Sequence, residues 1–414
     1  MTAVRRIAQL GGTTNASEVR LALALTARPR GLVEGPAIEH YEGALARAVG
    51  ADAAITFGAG RVALFGMLRA LGVGAGDEVI VPVPTHVVVT NAVRYTGATP
   101  VYADCRLQDF NIDPDGVAAL ITPRTRAMLV QHTFGIPADM EPLLELSRAR
   151  DVPLIEDCVH ALGATWRGRP VGGIGDAGFF STEETKIIST TMGGAAATSD
   201  AALAERVRAF QRECPPPSRS LVARRLAKLA VYHVLTEPRL HVATRPVYEL
   251  FGGRNPLPVP TSAEELVGER PARYEERFSA GQAAVGLSQL ARLPENLAHR
   301  RRVAAAYRAQ LAPLGFTAPV VANDDEPAWV RYPVRVADRA AAVRALRRHT
   351  VPGMWFTSVQ EEAVRPTLNG YFAGSCPRAE AAARELVNLP THPRVGPEDV
   401  AAIVDAMAAV EPAG

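Results

Sequence analysis

The chain has 414 residues, 48% of them hydrophobic and 21% charged, and a formal net charge of +2. This length exceeds one small core and implies two domains, while the balanced charge excludes recruitment of nucleic acid by bulk electrostatics. Cys105, Cys158, Cys214 and Cys376 are scattered without a CxxC pair, which excludes a zinc or disulfide framework, offers no metal site and fits a reduced, cytoplasmic setting.

In chain order, "LALALTA" from Leu21 is a short apolar run with no cleavage-site pattern, so a signal peptide is not expected. Nothing approaches the roughly 20 apolar residues of a membrane span. "AAITFG" (53–58) predicts a strand, and "RVALFGMLRALG" (61–72) a helix with apolar residues recurring at three and four. "DEVIVP" (77–82), "TPVYAD" (99–104), "RAMLVQH" (126–132) and "VPLIED" (152–157) predict strands, with helices over "HVVVTNAVRYTG" (86–97) and "MEPLLELSRARD" (140–151). "AGFFST" (177–182) and "GGAAATS" (193–199) complete the run, separated by a polar segment that contains Lys186. Strands alternating with helices predict an α/β fold around a mainly parallel sheet covered on both faces.

The organisation changes at "CPPPS". From Arg219 to Arg254 the chain carries seven Lys/Arg against two Glu, with Val222, Leu226, Leu229 and Val234 on one side of a predicted helix. The breaker clusters around it, "CPPPS" and "GGRNPLPVP" (252–260), suggest an appended unit. Its expected role is a substrate lid or dimer element, with Arg224, Arg225 and Lys228 facing a cleft or solvent; a membrane-surface patch is the weaker alternative. Helices are predicted over 279–307, 339–349 and 396–410, and a strand over "AWVRYPVRV" (328–336).

The chemistry begins at "LIEDC". Asp157 ends an apolar strand, and a buried carboxylate needs a cation or a donor to meet it. In an open parallel sheet, ligands lie beyond the carboxyl ends of the strands. "FGAGRVAL" places Gly58 and Gly60 between a strand and a helix, where backbone N–H groups can receive a phosphate, with Arg61 beside them. Lys186 lies between two apolar runs, and a desolvated lysine forms a Schiff base with an aldehyde. One cofactor needs a phosphate cradle, such a lysine and a carboxylate on a ring nitrogen: pyridoxal 5′-phosphate (PLP). Glu183 and Glu184, beside the lysine, read as solvated flanking charges.

Several blocks together resemble the DegT/StrS family of sugar aminotransferases: "GDEVIVP", "NAVRYTGATPVYAD", "LIEDCVHALGA", "VGGIGDAGFFS", "GGAAATSD", "RFSAGQAAVGLSQL" and "LVNLPTHPRVGPEDV" fall in family order from about Glu34 onward. The resemblance implies a fold-type I PLP-dependent transferase. Its large PLP-binding domain would span 1–262, with a mainly parallel seven-stranded sheet and the basic insertion at about 213–262. A smaller C-terminal α/β domain would span 263–414. By the same resemblance, Lys186 matches the Schiff-base lysine, Asp157 the carboxylate on the pyridine nitrogen and Ser181 a phosphate-binding serine. His160 falls beside the cofactor's phenolic oxygen. Gly60 and Arg61 match the phosphate turn, with Arg in place of Thr, and His86 stands where an aromatic ring stacks on the cofactor. Arg277 and Gln282 lie in the block whose arginine region reaches the partner's active site in the family's homodimer.

The chain departs from the family pattern at Glu275, where many members have Asn, and at Met192, where many have an acid. The resemblance implies transfer of an amino group from an amino acid, glutamate foremost, to a keto sugar carried on a nucleotide. Alternatives are another PLP reaction on a sugar or cyclitol, and a PLP-binding regulatory homologue without turnover.

Overall fold

Residues 5–9, 12–27, 31–241 and 260–414 are described by the computed structural model. All seven strands expected in the first half form: β1 (Ala53–Phe57), β2 (Glu78–Pro82), β3 (Thr99–Ala103), β4 (Thr125–Gln131), β5 (Leu154–Asp157), β6 (Ala177–Ser181) and β7 (Gly194–Thr198). They build one sheet in the order β1-β7-β6-β5-β4-β2-β3. β7 runs antiparallel to both of its neighbours, and all other pairings are parallel.

The continuous apolar runs are explained by burial on both faces. Ile80, Met128, Val130 and Leu154 face one core, with Tyr41 and Leu45 of α2 (Ala37–Val49) and Leu143 of α5 (Met140–Arg150). Val79, Val81, Ala127, Leu129 and Ile155 face the other. There they meet α3 (Gly60–Ala70), α4 (Val87–Tyr95) and α6 (Ala201–Glu213). The period of two thus sends alternate residues of one strand into different cores. Helices α2 and α6 lie outside the stretches assigned from sequence.

Over its described part the basic segment folds onto the rest of the chain. Helix α7 (Arg219–Leu235) packs on α1 (Ala16–Ala27), burying Val222, Leu226 and Leu229 with Ala22, Leu32 and Val285. Val234, expected on the buried side, is 52% exposed. Nor do the three cations named above all face a cleft or solvent. Only Arg224 is exposed; Arg225 pairs with Glu276 at 2.6 Å and Lys228 with Glu184 at 2.9 Å. The second breaker cluster and Arg254 fall outside the described residues, apart from Pro260.

The C-terminal part includes α8 (Ala280–Ala291) and α9 (Leu293–Leu311). α8 lies against α2, and α9 continues into a core with α10 (Arg339–Leu346), α12 (Pro397–Met407) and a two-stranded antiparallel sheet. That sheet pairs β8 (Arg331–Arg335) with β9 (Leu386–Pro390), preceded by α11 (Pro377–Glu385). Neither β9 nor α11 was expected from periodicity. All four cysteines are buried and free. Among the described residues, no helix is long and apolar enough to cross a membrane.

Candidate active site

A cavity of about 240 Å³ opens beyond the carboxyl ends of β1, β5 and β6. Seven of the eight residues singled out from sequence line it: Gly60, Arg61, His86, Asp157, His160, Ser181 and Lys186. The eighth, Arg277, lies in a separate cleft with Glu42, Arg208 and Gln211, its guanidinium 3.4 Å from Glu34.

β5 ends on two acids with opposite fates. Glu156 is fully buried and accepts from the N–H groups of Gly172, Ile174 and Gly175 and from His132 Nε2. The His132 tautomer follows from its other nitrogen, which accepts from Ala138 N–H. Glu156 therefore holds the fold. Asp157 is equally buried, but only its Oδ1 is bonded, to Val159 N–H at 3.1 Å; among the described residues Oδ2 has no partner. Burial pushes its pKa up to about 6, opposed by the Val159 N–H, Lys186, His132 and His86. A carboxylate oxygen left open in a buried cleft calls for a donor.

Beyond β1 the chain turns directly into α3. A Cβ on Gly60 would stand 2.9 Å from the Phe180 carbonyl oxygen and 3.2 Å from Ser181 Cβ. Only glycine lets the N-terminus of α3 come down onto the end of β6. That approach sets Ser181 beside a helix N-terminus, a ready cradle for an anion. The Arg61 side chain turns elsewhere, to the fully buried Glu265 at 2.6 Å.

Lys186 rides on the loop between β6 and β7. Thr182 closes that loop by bonding Gly193 and Thr190. Its main chain is pinned from behind by side-chain amides: Gln282 to Thr190 and Met192, Gln289 to Ser189, and Asn296 to Ile187. Gln282, placed by resemblance in the cross-subunit block, is therefore buried within its own protomer. Glu184, expected to be solvated, is buried against Lys228 and Tyr232. The Lys186 pKa is lowered to about 8, mainly by burial; Glu183, Asp157 and Glu362 oppose the shift and Arg331 adds to it.

His86 caps α4 by accepting from Val88 N–H, and its Nε2 lies 3.3 Å from Glu362. That contact is the main cause holding the Glu362 carboxyl at about 2. Burial, followed by Lys186, Arg331 and His86, keeps the His160 ring neutral, and its Nδ1 has no partner among the described residues. His160 stacks on Trp355 with centroids 4.6 Å apart, and Lys186 Nζ lies 4.3 Å from the Trp355 ring centroid. Trp355, Phe356 and Glu362 all line the cavity and were missed from sequence. They fall in a stretch without periodicity, and only tertiary folding brings them here.

Together these features fit PLP. An aldehyde needs an amine that loses its proton near neutrality, which Lys186 offers. A protonated ring nitrogen needs an ionised carboxylate with a free oxygen, which Asp157 offers. A phosphate needs the hydroxyl and N–H groups at Ser181 and Gly60.

Known proteins agree. The profile of the DegT/DnrJ/EryC1/StrS aminotransferase family matches residues 15–221 and 259–408. The chain is 32% identical over 378 residues to GDP-perosamine synthase of Caulobacter vibrioides, covering 90% of each protein. It is 32% identical to dTDP-3-amino-3,4,6-trideoxy-alpha-D-glucose transaminase of Streptomyces venezuelae, covering 90% of this chain and 86% of that one. The solved structure of S. venezuelae DesV in complex with a ketimine intermediate superposes with a TM-score of 0.75 at 31% identity, covering 95% of this chain and 94% of that one. The chain belongs to the DegT/DnrJ/EryC1/StrS aminotransferase family and is a PLP-dependent aminotransferase of fold type I.

Proposed function

We propose that this enzyme moves an amino group from an amino acid, glutamate foremost, to a keto sugar carried on a nucleotide, in amino-sugar or secondary-metabolite biosynthesis. One observation carries the reading: Lys186 with its depressed pKa shares a cavity with the unpartnered oxygen of Asp157. The GDP- and dTDP-sugar relatives support the acceptor class.

In this reading Lys186 Nζ would hold the cofactor's aldehyde carbon, Asp157 Oδ2 its ring nitrogen, and Ser181 with the Gly60 turn its phosphate. His86 and His160 would flank the ring. Arg61 contributes its main-chain N–H at the helix N-terminus, while its guanidinium stays with Glu265. Bound PLP supplies the electron sink for the carbanion left when an amino acid loses its α-proton. Lys186, freed when the donor's amine takes its place, would be the general base that takes this proton, and the burial that lowers its pKa to about 8 favours the neutral amine this needs. Asp157 is ionised above about pH 6 and keeps a proton on the ring nitrogen. His160 stays neutral and adds no second cation beside the lysine.

The chain divides into 1–262 and 263–414, with α8 reaching back onto the first part. It works as a cytoplasmic homodimer with shared sites. Support comes from the "RFSAGQAAVGL" block, from the distance of Arg277 from its own protomer's cavity, and from four free thiols suited to a reducing compartment.

The test is to incubate the PLP-loaded enzyme with glutamate and a panel of nucleotide-linked keto sugars, with cyclitol ketones alongside. Formation of 2-oxoglutarate together with an aminated nucleotide sugar is the expected result. Product from the cyclitol ketones alone would overturn the acceptor assignment.

A further inference from the structure

We propose that Glu362 is a positioning residue for the cofactor: it fixes the plane of the His86 ring, against which the PLP ring would pack. The proposal rests on the reading of His86 as a ring that flanks the cofactor, and adds a residue that neither the motifs nor the resemblance pointed to.

An imidazole is a demanding substitute for a hydrocarbon ring. A phenyl ring is held by packing alone, whereas each imidazole nitrogen needs a partner, and the partners decide how the ring is turned. At His86 both nitrogens meet one. Nδ1 accepts from Val88 N–H at 3.3 Å, which assigns the ring proton to Nε2. Nε2 faces a Glu362 carboxylate oxygen at 3.3 Å. The first contact ties one edge of the ring to the start of α4, and the second sets its rotation about that tie. Both residues line the cavity.

The backbone brings the pair together. Gln360 and Glu361 form a short parallel ladder with Thr85 and His86, and Thr85 N–H donates to the Val359 carbonyl just before it. Glu362 follows the ladder directly, with a φ of 67°. Left-handed backbone suits glycine and is strained for a residue with a side chain. Such strain persists where the surroundings enforce it, and it gathers at functional sites. Here a glycine would relieve it, but would remove the group that meets Nε2. Glu361 makes the contrast: it accepts from the Thr357 main-chain N–H and hydroxyl, so Glu362 is the acid of the two aimed at His86. The Glu362 carboxyl is held at about 2, first by His86 and further by Thr261 and Lys186, against the opposing effect of burial, so it stays ionised at neutral pH.

The experiment uses three readouts that do not depend on turnover: PLP affinity of the full-length protein by absorbance titration, the visible band of the bound cofactor, and the melting temperature of the cofactor-free protein. Glu362→Gly removes the carboxylate and suits the left-handed backbone. It should weaken PLP about 3- to 10-fold, the scale of one hydrogen bond, and displace the visible band, while the melting temperature stays as in the parent. Glu362→Gln keeps an acceptor for Nε2–H and should restore most of the affinity. In a His86→Phe background, where the ring needs no polar partner, Glu362→Gly should leave affinity and band unchanged.

Parental PLP binding in Glu362→Gly overturns the proposal. So does a lowered melting temperature with parental binding, which would make Glu362 a structural residue. An equal loss in the His86→Phe background, or a loss in Glu362→Gln as large as in Glu362→Gly, also overturns it and assigns the effect to the carboxylate's charge near Lys186. His86→Ala that binds PLP as the parent does refutes the reading of His86 itself, independently of any Glu362 variant.

Discussion

Replacing Lys228 with Met should destabilise the protein, although the residue does not line the cavity. Its ammonium lies 2.9 Å from Glu184, with side-chain exposures of 7% and 5%. At an effective dielectric of about 20, that separation gives a gross attraction of about 6 kcal/mol, offset by desolvation of both groups. Loss of the cation leaves Glu184 buried against Tyr232 with its main counter-charge gone. The expected cost is about 3–5 kcal/mol, or roughly 3–6 °C in melting temperature when entropy per residue is scaled to this chain. The pH dependence has a definite sign. Burial already raises the Glu184 pKa to about 7, and removing Lys228 raises it further. Such an acid favours the folded state below its unfolded pKa, and that contribution is lost as pH rises through the folded value. The variant's deficit should therefore be largest near pH 8 and shrink towards pH 6. Adding Glu184→Gln removes the stranded charge and should recover most of the loss. The assay is thermal unfolding of the PLP-loaded protein at pH 6 and pH 8, with cofactor absorbance recorded in parallel. Equal melting of parent and Lys228→Met at pH 8, with no gain from the second substitution, would mean the pair is solvated and the reasoning wrong.

Three further outcomes are expected. The rate at which cofactor-free protein takes up PLP covalently should rise about tenfold per pH unit below 8 and level off above it, since only neutral Lys186 reacts; stopped-flow absorbance reads this, and borohydride fixation on any peptide other than the one holding Lys186 counts against it. Asp157→Asn should retain bound PLP by absorbance yet lose turnover by roughly 100- to 1,000-fold, the scale of one removed electrostatic contact in the transition state; near-parental kcat would make Asp157 a purely structural acid. Co-expressed Lys186→Ala and Arg277→Ala chains should regain activity in mixed dimers, each inactive parent supplying what the other lacks; size exclusion confirms the dimer, and absence of rescue refutes shared sites.

The sequence made the sheet legible because its strands are buried on both faces. Val79–Val81, Ala127–Val130 and Ile155 read as unbroken apolar runs, and such runs have few other uses. The lysine, the aspartate and the serine were legible for a related reason: each sits at the carboxyl end of a strand or on the loop after one. What escaped was tertiary. The Arg61 pairing with Glu265 joins residues far apart in the chain, and nothing near Arg61 announces it. Trp355 and Glu362 reach the cavity from an aperiodic stretch of the C-terminal part. The amphipathic reading of α7 went wrong at its end, where Val234 turns outward, because periodicity gives the angle of a face but not where its neighbour stops.

On the loop that carries Lys186, the three amides behind it grip only peptide groups. Gln282, Gln289 and Asn296 bond to main-chain atoms of residues 187 to 192 and to none of their side chains. The loop is therefore held in shape whatever side chains it displays towards the cavity. Met192 and its neighbours can change while Lys186 stays beside the cavity that Asp157 also lines. Fastening by backbone gives the enzyme latitude: new ketones can be accommodated by editing the walls of the cleft, with the reactive amine left where it is.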